Sequence, residues 1–367
     1  MKVLVYHIGQ LGDTIVSIPA LRAVRRKFGA FSPVLMLHDA TGQLVTAEMV
    51  LQDSGLVDGF IPYSPVKGAG RLKTMATLWR RLRFERFDAV VSLLPSDRSR
   101  WALVRDRLFF RACGIPRSIG FRPFAESEIR PRQVSGRPAY TPNEASLRLR
   151  RLSAEGFAAE SENVFAPPLI SLSRQAEARI DMWLEHRRKH PLRPLIALCP
   201  GCKKPANSWS VKRFLEIARR LIALGRCEIV ILGGPPERDL VHMMVDALDG
   251  EAIHAAGRFS VMESAALLSR CSLLIGLDTG TTHLAAAVGV PCVVIQSANS
   301  FPGQWDPLGP GHVVIRSGSA CEGCQLQTCP VAGHPCMSDI SVGRVWPAIE
   351  VALAETEYQR HAAHSHA

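Results

Sequence analysis

Apolar runs of strand length alternate with segments of helical period along most of this chain, and no other feature constrains the fold as strongly. In the first half the predicted strand and helix pairs are residues 3–8 with 14–28, 34–37 with 42–52, and 89–94 with 101–113. Strands that are apolar throughout and alternate with helices are typical of a parallel sheet covered on both faces. The pattern predicts an α/β fold.

The alternation fades between residues 122 and 168, where only 143–152 is predicted to be helical, and then resumes. The further predicted helices are 173–188, 211–224, 236–248, 261–269 and 282–288, and the strands are 195–199, 228–232, 272–277 and 292–296. Two such sheets in tandem predict two Rossmann-like lobes, each with a ligand crevice at the carboxyl ends of its strands. We predict an N-terminal domain over 1–170 and a C-terminal domain over 171–367.

The chain contains no stretch of the roughly 20 apolar residues that a membrane span needs, and its first residues enter a strand without the pattern of a signal peptide. We therefore expect a cytoplasmic protein whose ten cysteines are reduced. Four of them lie in apolar surroundings and are predicted to be small core residues: Cys113, Cys227, Cys271 and Cys292.

The net charge of +11 is concentrated in the first lobe. Between Ile61 and Gln133 there are sixteen Lys or Arg and six Asp or Glu, a net charge of +10. Such a segment attracts an anionic partner, which could be a nucleic acid, a phosphorylated small molecule or an anionic membrane. The alternative is a solvated face that is rich in arginine.

The stretch GQLGDT follows the first predicted strand and contains Gly9, Gly12 and Asp13. The two glycines predict a tight turn, and Asp13 is placed to be the N-cap of a helix that begins there. The spacing differs from the GxGxxG of dinucleotide-binding folds, and an aspartate beside helix amides repels phosphate. Two interpretations stay open, a simple N-cap or a general base at the mouth of the crevice.

The stretch DTGTTH follows the strand predicted to end at residue 277 and opens the next helix with Asp278, Thr279, Gly280 and Thr281. Free backbone N–H groups and hydroxyls at a helix start are typical of a pyrophosphate cradle. His283 lies in the first turn, where its ring could hydrogen-bond a phosphate or sugar oxygen, although a lone histidine is more often structural.

Four blocks occur in a fixed order along the chain: GxLGDxxxxxPAL at 9–21, CPGCKKPANSWSVKRF at 199–214, ILGGPPE at 231–237 and DTGxxHLAAA at 278–287. Together they resemble glycosyltransferase family 9, the heptosyltransferase family of lipopolysaccharide assembly. The resemblance covers most of the chain and leaves only residues 122–168 poorly described.

The resemblance implies a GT-B architecture, in which two Rossmann-like lobes with parallel sheets face a central cleft and the acceptor lobe comes first. It implies inverting transfer of heptose from ADP-heptose to an inner-core sugar of lipopolysaccharide, without a catalytic metal. Asp13 matches the general base of the family. The implied donor-binding residues are Asp278, Thr279, Gly280, Thr281 and His283, with Glu237 near the ribose and Phe259 at the adenine pocket.

The chain departs from the family pattern before Trp209. Many members carry a lysine two residues before this tryptophan, where this chain has Asn207. Lys203 and Lys204 are candidates to supply the missing charge to the donor diphosphate. If they do not, the donor is held more weakly or is a different one, so a family 9 transferase with another nucleotide sugar or another glycan acceptor stays an alternative.

The basic first lobe suits a phosphorylated lipopolysaccharide precursor in an anionic leaflet. Candidate acceptor-binding residues are Lys67, Arg71, Arg122 and Arg130, which could pair with acidic groups of that precursor. The expected partners are therefore a nucleotide sugar, this precursor and the inner-membrane surface, with the protein peripheral to its cytoplasmic face.

Four thiols lie within sixteen residues near the C-terminus, at Cys321, Cys324, Cys329 and Cys336. They could bind a structural zinc ion, or they could be reduced thiols that hold a loop in place. No cofactor is expected for catalysis.

Two other classes of protein are alternatives to a glycosyltransferase. A nucleotide-sugar epimerase also has two Rossmann-like lobes, but the GDT turn and the DTGxxH string fit it less well. A non-enzymatic nucleic-acid-binding protein could use the basic lobe. The sequence has no recognised nucleic-acid-binding motif and no row of aromatic residues in the basic region, so we expect no nucleic-acid partner.

Overall fold

A computed structural model of the protein describes residues 1–40, 45–64, 70–130, 133–134, 137–138, 140–158 and 164–365. The chain forms two compact units. Unit 1 comprises Met1–Arg132 and Tyr140–Phe165, and unit 2 comprises Gln133–Ala139 and Ala166–Ala367.

Unit 1 is built on one parallel sheet. Its strands are β1 (Val3–His7), β2 (Val34–Asp39), β3 (Gly59–Tyr63), β4 (Ala89–Ser92) and β5 (Arg117–Ile119). Their order across the sheet is β3-β2-β1-β4-β5. The helices of this unit are α1 (Leu11–Phe28), α2 (Ala47–Leu51), α3 (Gly70–Glu85), α4 (Arg100–Ala112), α5 (Glu126–Ile129) and α6 (Glu144–Ser153).

The core of unit 1 lies on the two central strands. Every residue of β1 and β4 is buried, as expected for parallel strands that are covered on both faces. Leu82 of α3 and Leu103 and Phe110 of α4 belong to one core cluster, so these two helices pack on the same hydrophobic core.

Unit 2 repeats the design with six strands. They are β8 (Leu195–Cys199), β9 (Glu228–Ile231), β10 (Ala252–His254), β11 (Leu273–Leu277), β12 (Cys292–Gln296) and β13 (Val313–Arg316), in the order β10-β9-β8-β11-β12-β13. The helices are α7 (Arg174–Glu185), α8 (Val211–Leu224), α9 (Arg238–Asp246), α10 (Val261–Ser269), α11 (Gly280–Ala287), α12 (Pro335–Ser338) and α13 (Val342–Ser365). A two-stranded antiparallel ribbon, β6 (Gln133–Val134) with β7 (Arg137–Pro138), clusters with this unit.

The C-terminal part of unit 2 is tied to the segment before α8. The buried indole of Trp209 donates a hydrogen bond from Nε1 to the carbonyl oxygen of Ile340 at 2.9 Å. The guanidinium of Arg213 donates to the same carbonyl at 2.8 Å. These two bonds satisfy a buried carbonyl between α12 and α13, so the tryptophan has a structural role here.

The predicted α/β class with two parallel Rossmann-like sheets is confirmed. The four cysteines predicted to be core residues, Cys113, Cys227, Cys271 and Cys292, are buried, and burial raises the pKa of Cys113 to about 11. The helix predicted over 42–52 is shorter, since within the described residues it spans only Ala47–Leu51. Among the described residues, no helix has the length and apolar character needed to cross a membrane.

Candidate active site

The first candidate site lies where the strand order of unit 1 reverses. The chain runs outward from β1 to β2 and β3 on one side and then returns to β4 on the other side, so β1 and β4 are neighbours. In open parallel sheets the loops at such a reversal splay apart and leave a ligand crevice at the carboxyl ends of the strands. The GQLGDT turn leaves β1 at this edge.

The structure corrects the predicted start of α1. The helix begins at Leu11 and its N-cap is Gln10, so Asp13 is the third helical residue and Gly12 lies inside the first turn. Asp13 Oδ2 accepts a hydrogen bond from the backbone N–H of Gln10 at 3.1 Å. The carboxylate satisfies an amide that precedes the helix, and this contact allows the helix to begin earlier than a cap at residue 13 permits.

Gly9 has a steric role in this turn. A Cβ atom at residue 9 would lie 2.2 Å from Cβ of Asp13 and 2.4 Å from its Cγ. Only glycine leaves room for the Asp13 side chain to fold back over the turn. The predicted tight turn is therefore present, and Gly9 rather than Gly12 is the glycine that it needs.

A buried arginine holds the Asp13 side chain, and the sequence did not reveal it. Arg148 of α6 is 1 % exposed, and its Nη2 lies 3.0 Å from Asp13 Oδ1. Its Nη1 donates to the backbone carbonyl of Asp13 at 2.7 Å and also to the hydroxyl of Ser17. The Asp13 carboxylate is 21 % exposed, so it is fixed from the protein side and open to a ligand from the other.

A second buried charge supports Arg148. The carboxylate of Glu144, one helical turn earlier, is fully buried, and its Oε2 lies 3.6 Å from Arg148 Nε. It accepts hydrogen bonds from the backbone N–H of Ser96 at 3.2 Å and from the Ser96 hydroxyl, in the loop after β4. The ion pair and hydrogen bonds join Asp13, Arg148, Glu144 and Ser96 into one polar network across the β1 and β4 ends.

Two other buried groups border this network. Burial and the Arg148 charge lower the pKa of His7 to about 4, so this imidazole is neutral at neutral pH. Burial lowers the pKa of Arg151 to about 10, and its Nη1 donates to the carbonyl of Leu94 at 2.9 Å. Arg151 therefore stays a cation at neutral pH.

The second candidate site lies at the equivalent reversal of unit 2, between β8 and β11. Asp278 directly follows β11, and Thr279 is the N-cap of α11, so Gly280 and Thr281 are its first two residues. The amides at the start of α11 are the groups that a helix leaves without intrahelical partners. The structure thus places the DTGTTH string where the sequence predicted it.

Asp278 and His283 lie close together in this loop. Nε2 of His283 is 3.8 Å from Oδ1 of Asp278, and the imidazole packs edge-on against Trp305 with ring centroids 6.2 Å apart. Burial raises the pKa of Asp278 to about 6, and the opposing influences are Gln296, Arg316 and Lys204. Trp305 and Arg316 were not predicted, because both follow the last motif in sequence.

The raised pKa gives a testable pH dependence of stability. Between pH 4 and 6 folded Asp278 holds a proton that the unfolded chain has released, so the free energy of unfolding falls as pH rises through this window. At pH 7 we expect the free energy of unfolding of Asp278→Asn to exceed that of the parent by at most about 3 kcal/mol, since one pKa unit corresponds to ~1.36 kcal/mol. Urea unfolding at pH 7 and pH 4 measures this.

The matched control for this pH effect is Asp246→Asn, whose carboxyl is 66 % exposed. We expect it to change the unfolding free energy by less than about 1 kcal/mol at either pH. An Asp278→Asn protein less stable than the parent at pH 7 would contradict the sign of the effect.

Two glycines of unit 2 make room for Glu237. A Cβ at Gly201 would lie 2.3 Å from Glu237 Cγ, and a Cβ at Gly233 would lie 2.7 Å from Glu237 Cβ. These glycines follow β8 and β9, so the Glu237 side chain packs over the carboxyl ends of two central strands. The PG and LGGPPE motifs therefore converge on one carboxylate.

The other predicted donor-binding residues each have different neighbours in unit 2. Asn207 accepts a hydrogen bond at its Oδ1 from the Ser297 hydroxyl at 2.8 Å. Lys203 is exposed, whereas Lys204 is half-buried and close enough to Asp278 to lower its pKa. The ring of Phe259 packs edge-on against Trp183 of α7 with centroids 4.9 Å apart.

Sequence comparison identifies the family. A family model described as glycosyltransferase family 9 (heptosyltransferase) matches residues 75–334. The chain belongs to glycosyltransferase family 9. Among curated relatives of this family 9 glycosyltransferase, lipopolysaccharide heptosyltransferase 2 of Escherichia coli (strain K12) is 24% identical over 375 residues, which cover 97% of this chain and 100% of that protein.

Solved structures show the same fold. The family 9 glycosyl transferase from Veillonella parvula superposes with a TM-score of 0.73 at 21% identity and covers 96% of this chain and 97% of that one. The E. coli ADP-heptose lipopolysaccharide heptosyltransferase II has a TM-score of 0.69 at 20% identity and covers 97% and 100%. The predicted GT-B fold of this family 9 enzyme is confirmed.

The predicted acceptor-binding residues of this glycosyltransferase are only partly described. Arg122 lies 3.8 Å from Glu128 and Arg130 lies 2.7 Å from Glu126, and both arginines are 63 % exposed. Lys67 and the side chain of Arg71 lie outside the described residues. Acceptor binding by these four residues stays a prediction.

The four C-terminal cysteines of the family 9 enzyme lie near one another but do not form a metal site among the described residues. Burial raises the pKa of Cys336, and Cys321, Cys329 and Cys324 raise it further, so the four thiols interact electrostatically. Among the residues that the structure describes, however, no group of three or more His, Cys, Asp or Glu side chains has the arrangement of a metal site. The structural zinc therefore stays a prediction.

Proposed function

We propose that this family 9 enzyme transfers heptose from ADP-heptose to an inner-core sugar of lipopolysaccharide, with inversion at the anomeric carbon and Asp13 as the general base. The observation that carries the proposal is the partly exposed Asp13 carboxylate, which Arg148 holds at the switch point of the first sheet. The 24% identity to a lipopolysaccharide heptosyltransferase 2 along its whole length supports the substrate class.

Asp13 accepts the proton of the attacking hydroxyl in this mechanism. As the proton moves to the carboxylate, the acceptor oxygen forms a bond to the anomeric carbon, and the bond between that carbon and the diphosphate oxygen breaks. ADP departs with the electron pair of the broken bond. Each carboxylate oxygen has lone-pair capacity beyond the single hydrogen bond it receives from Arg148 or Gln10, so an acceptor hydroxyl can still bind.

Unit 2 supplies the donor site in this proposal. In this proposal the N–H groups at the start of α11 and the hydroxyls of Thr279 and Thr281 bind the diphosphate as its charge develops. Lys204 is the cation that substitutes for the lysine missing at Asn207, because it acts electrostatically on Asp278. These protein groups stabilise the leaving ADP in a mechanism without a catalytic metal.

The proposal is tested by single-turnover transfer with purified lipopolysaccharide core acceptors and a panel of nucleotide sugars. We expect ADP-heptose to react fastest and the product to have the anomeric configuration opposite to that of the donor. If another nucleotide sugar reacts and ADP-heptose does not, the fold and the base stand and the donor assignment is wrong. Retention of configuration would instead contradict the single displacement.

The steric contact between Gly201 and Glu237 gives a second test of the donor site. We expect Glu237→Ala to weaken ADP binding about tenfold or more, since a hydrogen bond to a charged group contributes ~1.5–3 kcal/mol. Gly201→Ala must displace Glu237 Cγ, which lies 2.3 Å from the new Cβ, and should weaken binding similarly. Isothermal titration with ADP measures both.

The losses of ADP affinity caused by Glu237→Ala and Gly201→Ala should not add, because both changes remove the same contact between Glu237 and the nucleotide. In the Glu237→Ala background Gly201→Ala is expected to cost less than about twofold. Gly318→Ala is the control, since a Cβ there meets nothing within 4 Å. Additive losses in the double variant would show that Gly201 acts on the nucleotide independently of Glu237.

A further inference from the structure

Helices α3 and α4 of unit 1 present large apolar side chains to solvent. Four of them are more than half exposed: Leu72 at 81 %, Phe84 at 86 %, Trp101 at 83 % and Leu108 at 61 %. Trp79 and Val104 are exposed to a lesser degree on the same two helices. Side chains of this size on the outside of a charged helix indicate a surface that binds a partner.

The outward face of α4 is a second apolar stripe and not the edge of the core. Leu103 and Phe110 are buried and pack on the sheet. Trp101, Val104 and Leu108 follow the i, i+3, i+7 spacing, which places them together on the opposite side of the helix. Packing inside unit 1 does not explain why these three residues are apolar.

Arginines surround the apolar side chains. Exposed arginines on or directly after the two helices are Arg80, Arg81, Arg83, Arg86, Arg100, Arg105, Arg107 and Arg111. The acids of the two helices are engaged on the protein side, since Glu85 pairs with Lys2 and buried Asp106 lies 2.6 Å from Arg105. The outward charge of these helices is therefore strongly positive.

A side-chain hydrogen bond links the two helices. The indole Nε1 of Trp79 in α3 donates a hydrogen bond to the carbonyl of Ala112 at the end of α4 at 3.0 Å. Trp79 and Phe84 also line one open groove together with Arg80, Arg83 and Arg86. We call the exposed side chains of these two helices the α3–α4 surface.

We propose that the α3–α4 surface docks on an anionic lipid bilayer. Tryptophan is favoured at membrane interfaces, and arginine gains free energy beside anionic headgroups. Trp79, Phe84 and Trp101 could also stack on nucleic-acid bases, but Leu72, Val104 and Leu108 offer no plane for stacking and are suited to acyl chains, which favours lipid. This inference rests on the proposed function, because it names the surface by which the enzyme reaches an acceptor held in a membrane.

Sedimentation with lipid vesicles tests the docking directly. We expect the full-length protein to bind vesicles of equimolar phosphatidylcholine and phosphatidylglycerol, and to bind pure phosphatidylcholine at least about tenfold more weakly. Binding should weaken as the salt concentration rises, because salt screens the attraction between the solvent-exposed arginines and the anionic headgroups. Equal binding to both vesicle types, or no binding to either, would overturn the proposal.

Variants locate the contact on the chain. Trp101→Ser with Leu108→Ser is expected to lower the vesicle partition coefficient about tenfold or more through lost apolar burial. Arg107→Gln and Arg111→Gln should lower it about fivefold each. Phe31→Ser is the matched control, since Phe31 is a fully exposed aromatic residue of unit 1 outside these helices, and it should have no effect. An unchanged partition coefficient in the α3–α4 variants would overturn the assignment.

The same variants separate lipid from nucleic acid and docking from catalysis. The parent protein could bind duplex or single-stranded DNA at physiological salt, lose that binding in the arginine variants, and bind no vesicles. That result would replace the lipid proposal with a nucleic-acid partner. Transfer to a soluble core oligosaccharide should be unchanged in Trp101→Ser. If no transfer is found with any donor, vesicle binding still decides the docking proposal by itself.

Discussion

We expect Asp13→Asn to lower the single-turnover rate of transfer by about a hundredfold to ten-thousandfold, the range for loss of a general base. Asparagine has nearly the same shape, and its single amide oxygen can accept one of the two hydrogen bonds that the Asp13 carboxylate receives, from Arg148 Nη2 or from the Gln10 N–H. The amide cannot take a proton from the acceptor hydroxyl. The affinity for ADP, measured by titration, should change by less than about twofold because the proposed donor site lies in unit 2.

Asp97→Asn is the matched control for this experiment. Asp97 is exposed and lies in the loop after β4, at the same edge of the sheet as Asp13. It should keep a rate within about threefold of the parent. If Asp13→Asn kept the parental rate while Asp97→Asn lost it, the base would be assigned to the wrong carboxylate.

Arg148→Met is expected to have the largest effect on stability. It removes the cation from a fully buried ion pair and leaves the Glu144 carboxylate, which is 0 % exposed, without that partner. Breaking a buried pair from one side typically costs ~3–5 kcal/mol. Urea unfolding measures the loss, and the control Arg150→Met, on the same helix but 49 % exposed, should cost less than about 1 kcal/mol.

The double variant Arg148→Met with Glu144→Gln separates folding from catalysis. Neutralising Glu144 removes the uncompensated buried charge, so most of the lost unfolding free energy should return. The transfer rate should stay at least about tenfold below the parent, because Asp13 Oδ1 still lacks the donor that fixes its carboxylate. A stable double variant with the parental rate would show that Arg148 has only a structural role.

The sequence correctly predicted the strands around the two positions where the strand order reverses, one in each sheet. β1, β8 and β11 are buried apolar runs that end at distinctive motifs, so both the strands and the residues after them could be placed. Sequence spacing also brought Asp278 and His283 to one helix start. These features are local, since each depends on residues within a few positions of one another.

The elements that the sequence did not predict depend on contacts with distant parts of the chain. The edge strands β3, β5, β10 and β13 are short and only partly buried, so their apolar runs are too brief to indicate a strand. Arg148 lies 135 residues after Asp13, and a lone arginine in a predicted helix gives no sign of being buried. The Asp13 cap was misassigned because its carboxylate accepts a hydrogen bond from the N–H of Gln10 and not from the N–H of a later residue.

The position of α6 in the chain sets the order in which the site around Asp13 is completed. All five strands of the first sheet end by Ile119, and Glu144 and Arg148 come later. A ribosome adding about 5–20 residues per second therefore releases the whole sheet before it releases the arginine. During synthesis Asp13 exists first without Arg148, and a nascent chain stopped before residue 144 can contain every strand of unit 1 while the Asp13 carboxylate still lacks the arginine that fixes it.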